Sequence, residues 1–177
     1  MKFVAVLLVL TLQLGSNYSL INGTDVDPDD AELLMDSKLD VKRCCPCGWY
    51  KLGRFCVRYF SRPLSFPDAE FHCRRAYRGG HLVSVHSPSQ NRRLLHIVKR
   101  CAGRNPRFWI GGFELFKSRH FIWTDGSSWC YNNWVPGEPT FGGGKEACVE
   151  VNWHTIGKWN DHTCYTKKSY VCAFRRH

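Results

Sequence analysis

Only one long apolar run occurs in the 177 residues, and it stands at the start. It covers the 12 residues from Phe3 to Leu14 (FVAVLLVLTLQL), whereas a bilayer-spanning helix needs about 20. Catalytic signatures are missing as well: the chain has no HExxH, GxSxG or phosphate-cradling P-loop pattern. The eight histidines are scattered, and neither His81 with His86 nor His154 with His162 falls at zinc-ligand spacing. Acidic residues are few, 15 against 25 Lys and Arg, for a formal charge of +10. These absences argue against a channel, a coiled coil, a collagen-like chain or a cytosolic enzyme. A binding module without a catalytic constellation is expected.

Cysteine and aromatic residues are abundant. Ten cysteines suit a disulfide-stapled protein of an oxidising compartment. An aromatic share of 14% supplies enough apolar surface to build a core. Trp123, Trp129, Trp134, Trp153 and Trp159 crowd the second half and are expected mostly in that core, with Trp153 a candidate to stack on a sugar.

Three segments are expected. Residues 1–19 read as a secretory signal: Lys2, the short apolar run, then Gly15, Ser16 and Ser19. This places the mature protein outside the cell or in a secretory granule. Residues 20–43 hold seven of the fifteen acids and no cysteine or aromatic residue, and read as an acidic propeptide or linker. Asn22 opens a glycosylation sequon in this segment, and the dibasic pair Lys42-Arg43 offers a processing point. Residues 44–177 keep 21 Lys and Arg against 8 Asp and Glu, a formal +13. Such a charge favours anionic partners such as lipid head groups or sulfated glycans.

Within residues 44–177, Phe55–Phe60 reads as a strand. Ser65 begins a helix with Phe66, Ala69, Cys73, Ala76 and Tyr77 at helical spacing, stopped by Gly79-Gly80. His81–Val85 is the next strand, and Ser87 opens a second helix that buries Leu94, Leu95, Ile97 and Val98 and ends near Arg100. Phe108–Gly111, Phe121–Thr124, Ala147–Val151 and Tyr170–Phe174 read as strands between Gly, Pro, Asn and Asp clusters. Two helices followed by strands and long loops predict an α+β domain.

Residues 45–175 resemble the C-type lectin-like domain family. Cys45-Pro46-Cys47-Gly48-Trp49 with Cys56 is similar to the N-terminal hairpin of the family's long form. Trp109-Ile110-Gly111-Gly112 is similar to its central strand, Trp134–Thr140 (WVPGEPT) to its ligand loop, and Trp159–Cys164 (WNDHTC) to the strand completing that loop's site. The resemblance implies two helices packed on small antiparallel sheets. It also implies disulfides Cys45–Cys56, Cys73–Cys172 and Cys148–Cys164. Of the remaining cysteines, Cys101 and Cys130 are expected to form an extra staple, and Cys44 and Cys47 to pair with each other or with another chain, giving a disulfide-linked homo-oligomer.

The resemblance further implies one Ca2+ site formed by Glu138, Thr140, Glu146, Asn160 and Asp161, with Pro139 in cis. Glu138, Thr140, Glu146 and Asn160 would also meet the sugar. Thr140 departs from the family, which has Asn or Asp there; one neutral hydroxyl replaces an amide or carboxylate and weakens the site. The family's second Ca2+ site is expected to be absent, because its acids fall on Phe141 and Ala147. The function implied is a secreted calcium-dependent lectin that recognises microbial glycans in innate immunity. An alternative comes from Phe71–His86, which resembles the same stretch of eosinophil major basic protein: a cationic granule or antimicrobial protein binding anionic lipids or sulfated glycans without calcium. Arg74, Arg75, Arg78, Arg92, Arg93, Lys99, Arg100, Arg104 and Arg107 would form its basic face. An ice-binding role lacks the flat threonine-rich array it would need.

Overall fold

The protein is described from a computed structural model covering residues 45–176. The expectations for the signal, the acidic segment, Asn22 and Cys44 lie outside the described residues. The element order is β1 (Tyr50–Leu52), β2 (Phe55–Leu64), α1 (Phe66–Ala76), β3 (His81–Leu82), α2 (Pro88–Ala102), β4 (Phe108–Glu114), β5 (Phe121–Trp123), β6 (Cys148–Val151), β7 (Trp159–His162) and β8 (Lys168–Arg175). This is the α+β arrangement expected. The strands run in the order β1-β2-β8-β4-β6-β7, with β3 on β8 and β5 on β4.

Both helices begin as the sequence predicts. Ser65 Oγ accepts the Asp68 N–H at 3.3 Å and Ser87 Oγ accepts that of Gln90 at 3.2 Å, so each cap satisfies one of the amides a helix start leaves unpaired. The helix ends differ from expectation. α1 stops at Ala76, before the two glycines, because Tyr77 swings into an extended conformation and stacks on Phe174 at 3.6 Å. α2 runs on to Ala102, where Gly103 takes a left-handed conformation and donates its N–H to Lys99 O. Strand β3 ends at Leu82 instead of Val85. Glu70 of α1 holds it, accepting the Leu82 N–H at 2.8 Å and contacting His81 Nδ1 at 2.7 Å.

The core forms between α2 and the sheet. Phe108, Ile110, Trp123, Val149, Val151 and Trp159 are buried there with Leu94 and Val98. Gly111 explains how tightly β4 passes β3: a methyl group on it would lie 2.6 Å from Leu82 O, closer than such atoms approach. Side chains of strand β4 thus alternate around a backbone contact that any larger residue would push apart.

Three disulfides are formed, Cys45–Cys56, Cys73–Cys172 and Cys148–Cys164, as the resemblance implied. The expected Cys101–Cys130 staple is not formed; both are exposed free thiols. Cys101 lies in the last turn of α2, hydrogen-bonded to the Tyr50 phenol, whose pKa that contact raises. Cys130 instead follows Trp129, which packs on Phe121 and Trp123 of β5. Cys47 is a third exposed free thiol.

Candidate functional site

Residues 124–147 connect β5 to β6 and carry a 3-10 turn at Phe141–Gly143. Aromatic rings fasten this stretch to the core. Trp129 stacks on Phe121 at 5.5 Å, Phe141 lies over Phe121 at 5.9 Å, and Trp134 meets Trp159 edge-on at 5.9 Å. Backbone bonds join it to β7: Trp159 donates to Asn133 O at 2.8 Å and Val135 donates to Trp159 O at 2.9 Å. Buried Asn91 of α2 adds a side-chain tie, donating to Gly157 O and accepting the Trp159 indole N–H at 2.9 Å.

On this frame the sequence-predicted ligands separate into a cluster and an outlier. The Glu138–Pro139 bond is cis, as expected. Asp161 is fully buried at the middle of β7. Its two oxygens accept the backbone N–H groups of Thr140 at 3.1 Å and Phe141 at 2.6 Å. Glu138 Oε2 accepts the same Thr140 N–H at 3.0 Å, and Thr140 Oγ1 donates to Glu146 Oε2 at 3.3 Å. Glu138, Thr140, Glu146 and Asp161 are thereby linked around one residue. Asn160 points the other way, as strand alternation requires: it sits opposite Glu150 in the β6–β7 register and donates its Nδ2 to Glu150 Oε1 at 2.9 Å. Asn160, expected as a ligand, is thus committed to the buried Glu150 and is not brought to the cluster.

Burial pushes the Glu138 carboxyl above its ordinary pKa, and the hydrogen bond and charge of neighbouring Asp161 push it further, against the opposing Thr140 N–H. Two carboxyls in such contact need a shared proton or a cation between them. The donors here are hard oxygens, the type that Ca2+ takes six to eight of at about 2.3–2.6 Å. No group of three or more His, Cys, Asp or Glu side chains is gathered into a metal cage among the described residues. The residues fit a site that Glu138 and Asp161 begin and that Glu146, one hydroxyl away, would complete. Gly142 lets Glu146 lie where it does: at φ 45° it is left-handed, and a methyl group there would sit 2.5 Å from Glu146 Oε2.

A second charge centre was not legible as such in the sequence. Glu150 is fully buried on β6. Arg107 grips both its oxygens, and Lys168 Nζ reaches it at 3.0 Å. Burial alone would raise the Glu150 carboxyl, but the hydrogen bonds of Arg107, Asn160 and Lys168 outweigh it and hold the group below the usual range. The Arg107 guanidinium also lies over Trp153, 4.1 Å from the ring centre. Arg107 is therefore occupied inside the domain and leaves the expected basic face, and one face of Trp153 is covered. Of the other tryptophans, Trp123 and Trp159 are buried, and Trp129 and Trp134 pack half-buried against the core.

The chain matches the family described as the lectin C-type domain over residues 62–174. The chain belongs to the C-type lectin family. A protein named lectin from Pleurodeles waltl is 38% identical over 130 residues, covering 73% of this chain and 76% of that one. The galactose-specific lectin nattectin of Thalassophryne nattereri is 33% identical over 129 residues, covering 73% and 79%. Among solved structures, a calcium-independent type II antifreeze protein is similar at 26% identity with a TM-score of 0.68, covering 76% of this chain and 97% of that one. The C-type lectin fold expected from the motifs is thus established, and the protein is a member of a carbohydrate-binding family and not an enzyme.

Proposed function

We propose that this C-type lectin binds carbohydrate through one calcium ion held by Glu138, Thr140, Glu146 and Asp161, with Asn160, expected as a fifth ligand, turned instead to Glu150, and acts outside the cell on glycans of microbial surfaces. The observation that carries this reading is the convergence of two acids, Glu138 from a loop and Asp161 from a buried strand, on the single N–H of Thr140 at 3.0 and 3.1 Å. Keeping two carboxylates side by side is unfavourable unless a proton or a cation neutralises them, and a divalent cation also uses the nearby Glu146. A bound ion with coordination positions left over would take vicinal hydroxyls of a sugar, with Glu138, Thr140 and Glu146 supplying hydrogen bonds. Two lectin relatives, one named galactose-specific, support the carbohydrate part.

The test is a calcium titration of the purified protein followed by thermal unfolding, with retention on galactose and mannose resins measured before and after chelation. Calcium at a hundred times its Kd stabilises a protein by about 2.7 kcal/mol, a rise of several degrees in Tm. No such rise, together with no chelator-sensitive retention on either resin, would refute the reading.

A second reading rests on the exposed ends of the helices. Arg74, Arg75 and Arg78 at the end of α1, and Lys99, Arg100 and Arg104 at the end of α2, are all exposed. They supply a calcium-independent surface for anionic lipids or sulfated glycans. High salt abolishes binding of that kind and chelation leaves it intact.

A further inference from the structure

Beside the candidate ion site, the turn joining β4 to β5 carries Phe116-Lys117-Ser118-Arg119-His120, all exposed. Phe116, Lys117 and Arg119 have φ values of 45°, 58° and 61°, a left-handed conformation that residues with side chains adopt at a cost. The turn is nevertheless firmly held. Buried Glu114 accepts the Arg119 N–H at 2.8 Å, Leu115 donates to His120 O at 2.9 Å, and Ser118 donates to Leu115 O at 2.9 Å. Structure that over-determines an unfavourable backbone fixes the directions in which its side chains leave the chain.

The turn adjoins the loop of the ion site. The Arg119 guanidinium lies over the Phe141 ring, 5.6 Å from its centre, and the Phe141 N–H is one of the two bonded to Asp161. Lys117 Cε would be 3.9 Å from a methyl group on Gly144. Lys145 is the next residue of that loop and is exposed. Among the described residues, no ion pair joins Lys117, Arg119 or Lys145 to a carboxylate. Three cations therefore stand against the three carboxylates Glu138, Glu146 and Asp161. A bound divalent cation would tip this balance to net positive.

We propose that Lys117, Arg119 and Lys145 form a subsite for an anionic substituent, a sulfate or carboxylate, on the saccharide whose hydroxyls meet the ion. This rests on the calcium-lectin reading above and gives it a ligand class: acidic glycans in preference to their neutral counterparts. Arginine and lysine suit the role because both donate to oxyanions, and arginine does so with two parallel N–H groups. Phe116, 93% exposed, stands at the outer end of the same turn as an apolar surface for a neighbouring sugar ring.

The experiment compares retention of the full-chain protein on galactose, sulfated galactose and sialic-acid-capped galactose, in calcium and at physiological salt. The wild type should favour at least one acidic ligand by about tenfold, roughly 1.4 kcal/mol. The double variant Lys117→Gln, Arg119→Gln should lose that preference while its chelator-sensitive retention of neutral galactose and its Tm stay as in the wild type. Sulfated and sialylated ligands tell the two sources of negative charge apart. Equal retention of neutral and acidic sugars by the wild type overturns the subsite, as does a preference that survives in the double variant. So does binding to phosphatidylserine vesicles that ignores chelator and is abolished by Phe116→Ser, if no acidic-sugar preference accompanies it; the turn would then be a lipid contact. If acidic sugars are held in chelator and lost in the double variant while no neutral sugar is ever retained, the subsite stands and the ion-site reading falls.

Discussion

Asp161 carries more of the candidate site than any other residue. Both its oxygens accept backbone amides of the loop while its neighbour Glu138 is pressed against it. Asp161→Asn keeps one acceptor and turns the other oxygen into a donor facing an N–H. It should abolish chelator-sensitive sugar retention and cost about 1–3 kcal/mol in denaturant unfolding, the range for a buried polar group left unmatched. Thr140→Asn should act in the opposite sense, because an amide oxygen replaces a hydroxyl; a calcium affinity higher by about tenfold in calorimetry is expected. Glu150 makes a separate prediction. Its folded-state pKa is depressed, so its stabilisation is complete above the ordinary Glu pKa and disappears as pH falls through the lower folded value. Melting temperatures should therefore drop in the acid range below the usual Glu titration, and Glu150→Gln should flatten that limb. Glu150→Ala strands Lys168 and should cost about 3–5 kcal/mol. The gathering of Glu138, Glu146 and Asp161 around Thr140 is what the family resemblance implied. The orientation of Asn160 toward Glu150 could not be read from spacing, because it depends on the β6–β7 register, and neither could the removal of Arg107 from the basic face, since its partner is 43 residues away.

Among the elements, starts were more legible than ends. Ser65 and Ser87 announce their helices through local hydrogen bonds that any chain with that sequence can form. Replacing Ser87 by Ala should cost about 1 kcal/mol in chemical unfolding without touching calcium binding. The end of α1 is set by a distant ring, Phe174, so sequence spacing carried Tyr77 into a helix it leaves. The β4–β5 turn shows the same limit: nothing in Phe116–His120 signals three left-handed residues, which the Glu114 carboxylate and the backbone bonds of Leu115 and Ser118 hold in place. The 3-10 turn at Phe141–Gly143 shapes the loop's acid cluster. Gly142→Ala places a methyl group against the Glu146 carboxylate in a backbone conformation that alanine resists. A weaker calcium affinity with little loss of overall stability is the outcome to look for in parallel calorimetry and melting curves.

At the scale of the whole molecule, the disulfides separate stability from function. Cys73–Cys172 spans a sequence separation of 99 and ties α1 to β8, whereas Cys148–Cys164 spans 16 and joins the start of β6 to the turn that follows β7. Removing the first with paired alanines should cost about 2–5 kcal/mol. Three of the four expected bridges could be carried over from family spacing. The fourth, Cys101–Cys130, was inferred from leftovers alone, and both members are exposed free thiols. The loop itself offers a final consequence. Gly142, Gly143 and Gly144 lead to exposed Lys145, and the segment is pinned at Phe141 by the buried Asp161. A cation that draws Glu138, Glu146 and Asp161 together would stiffen this stretch from both sides. The peptide bond after Lys145 thus becomes an occupancy gauge: trypsin should nick it readily in chelator and slowly in calcium, reporting ion capture with no sugar present.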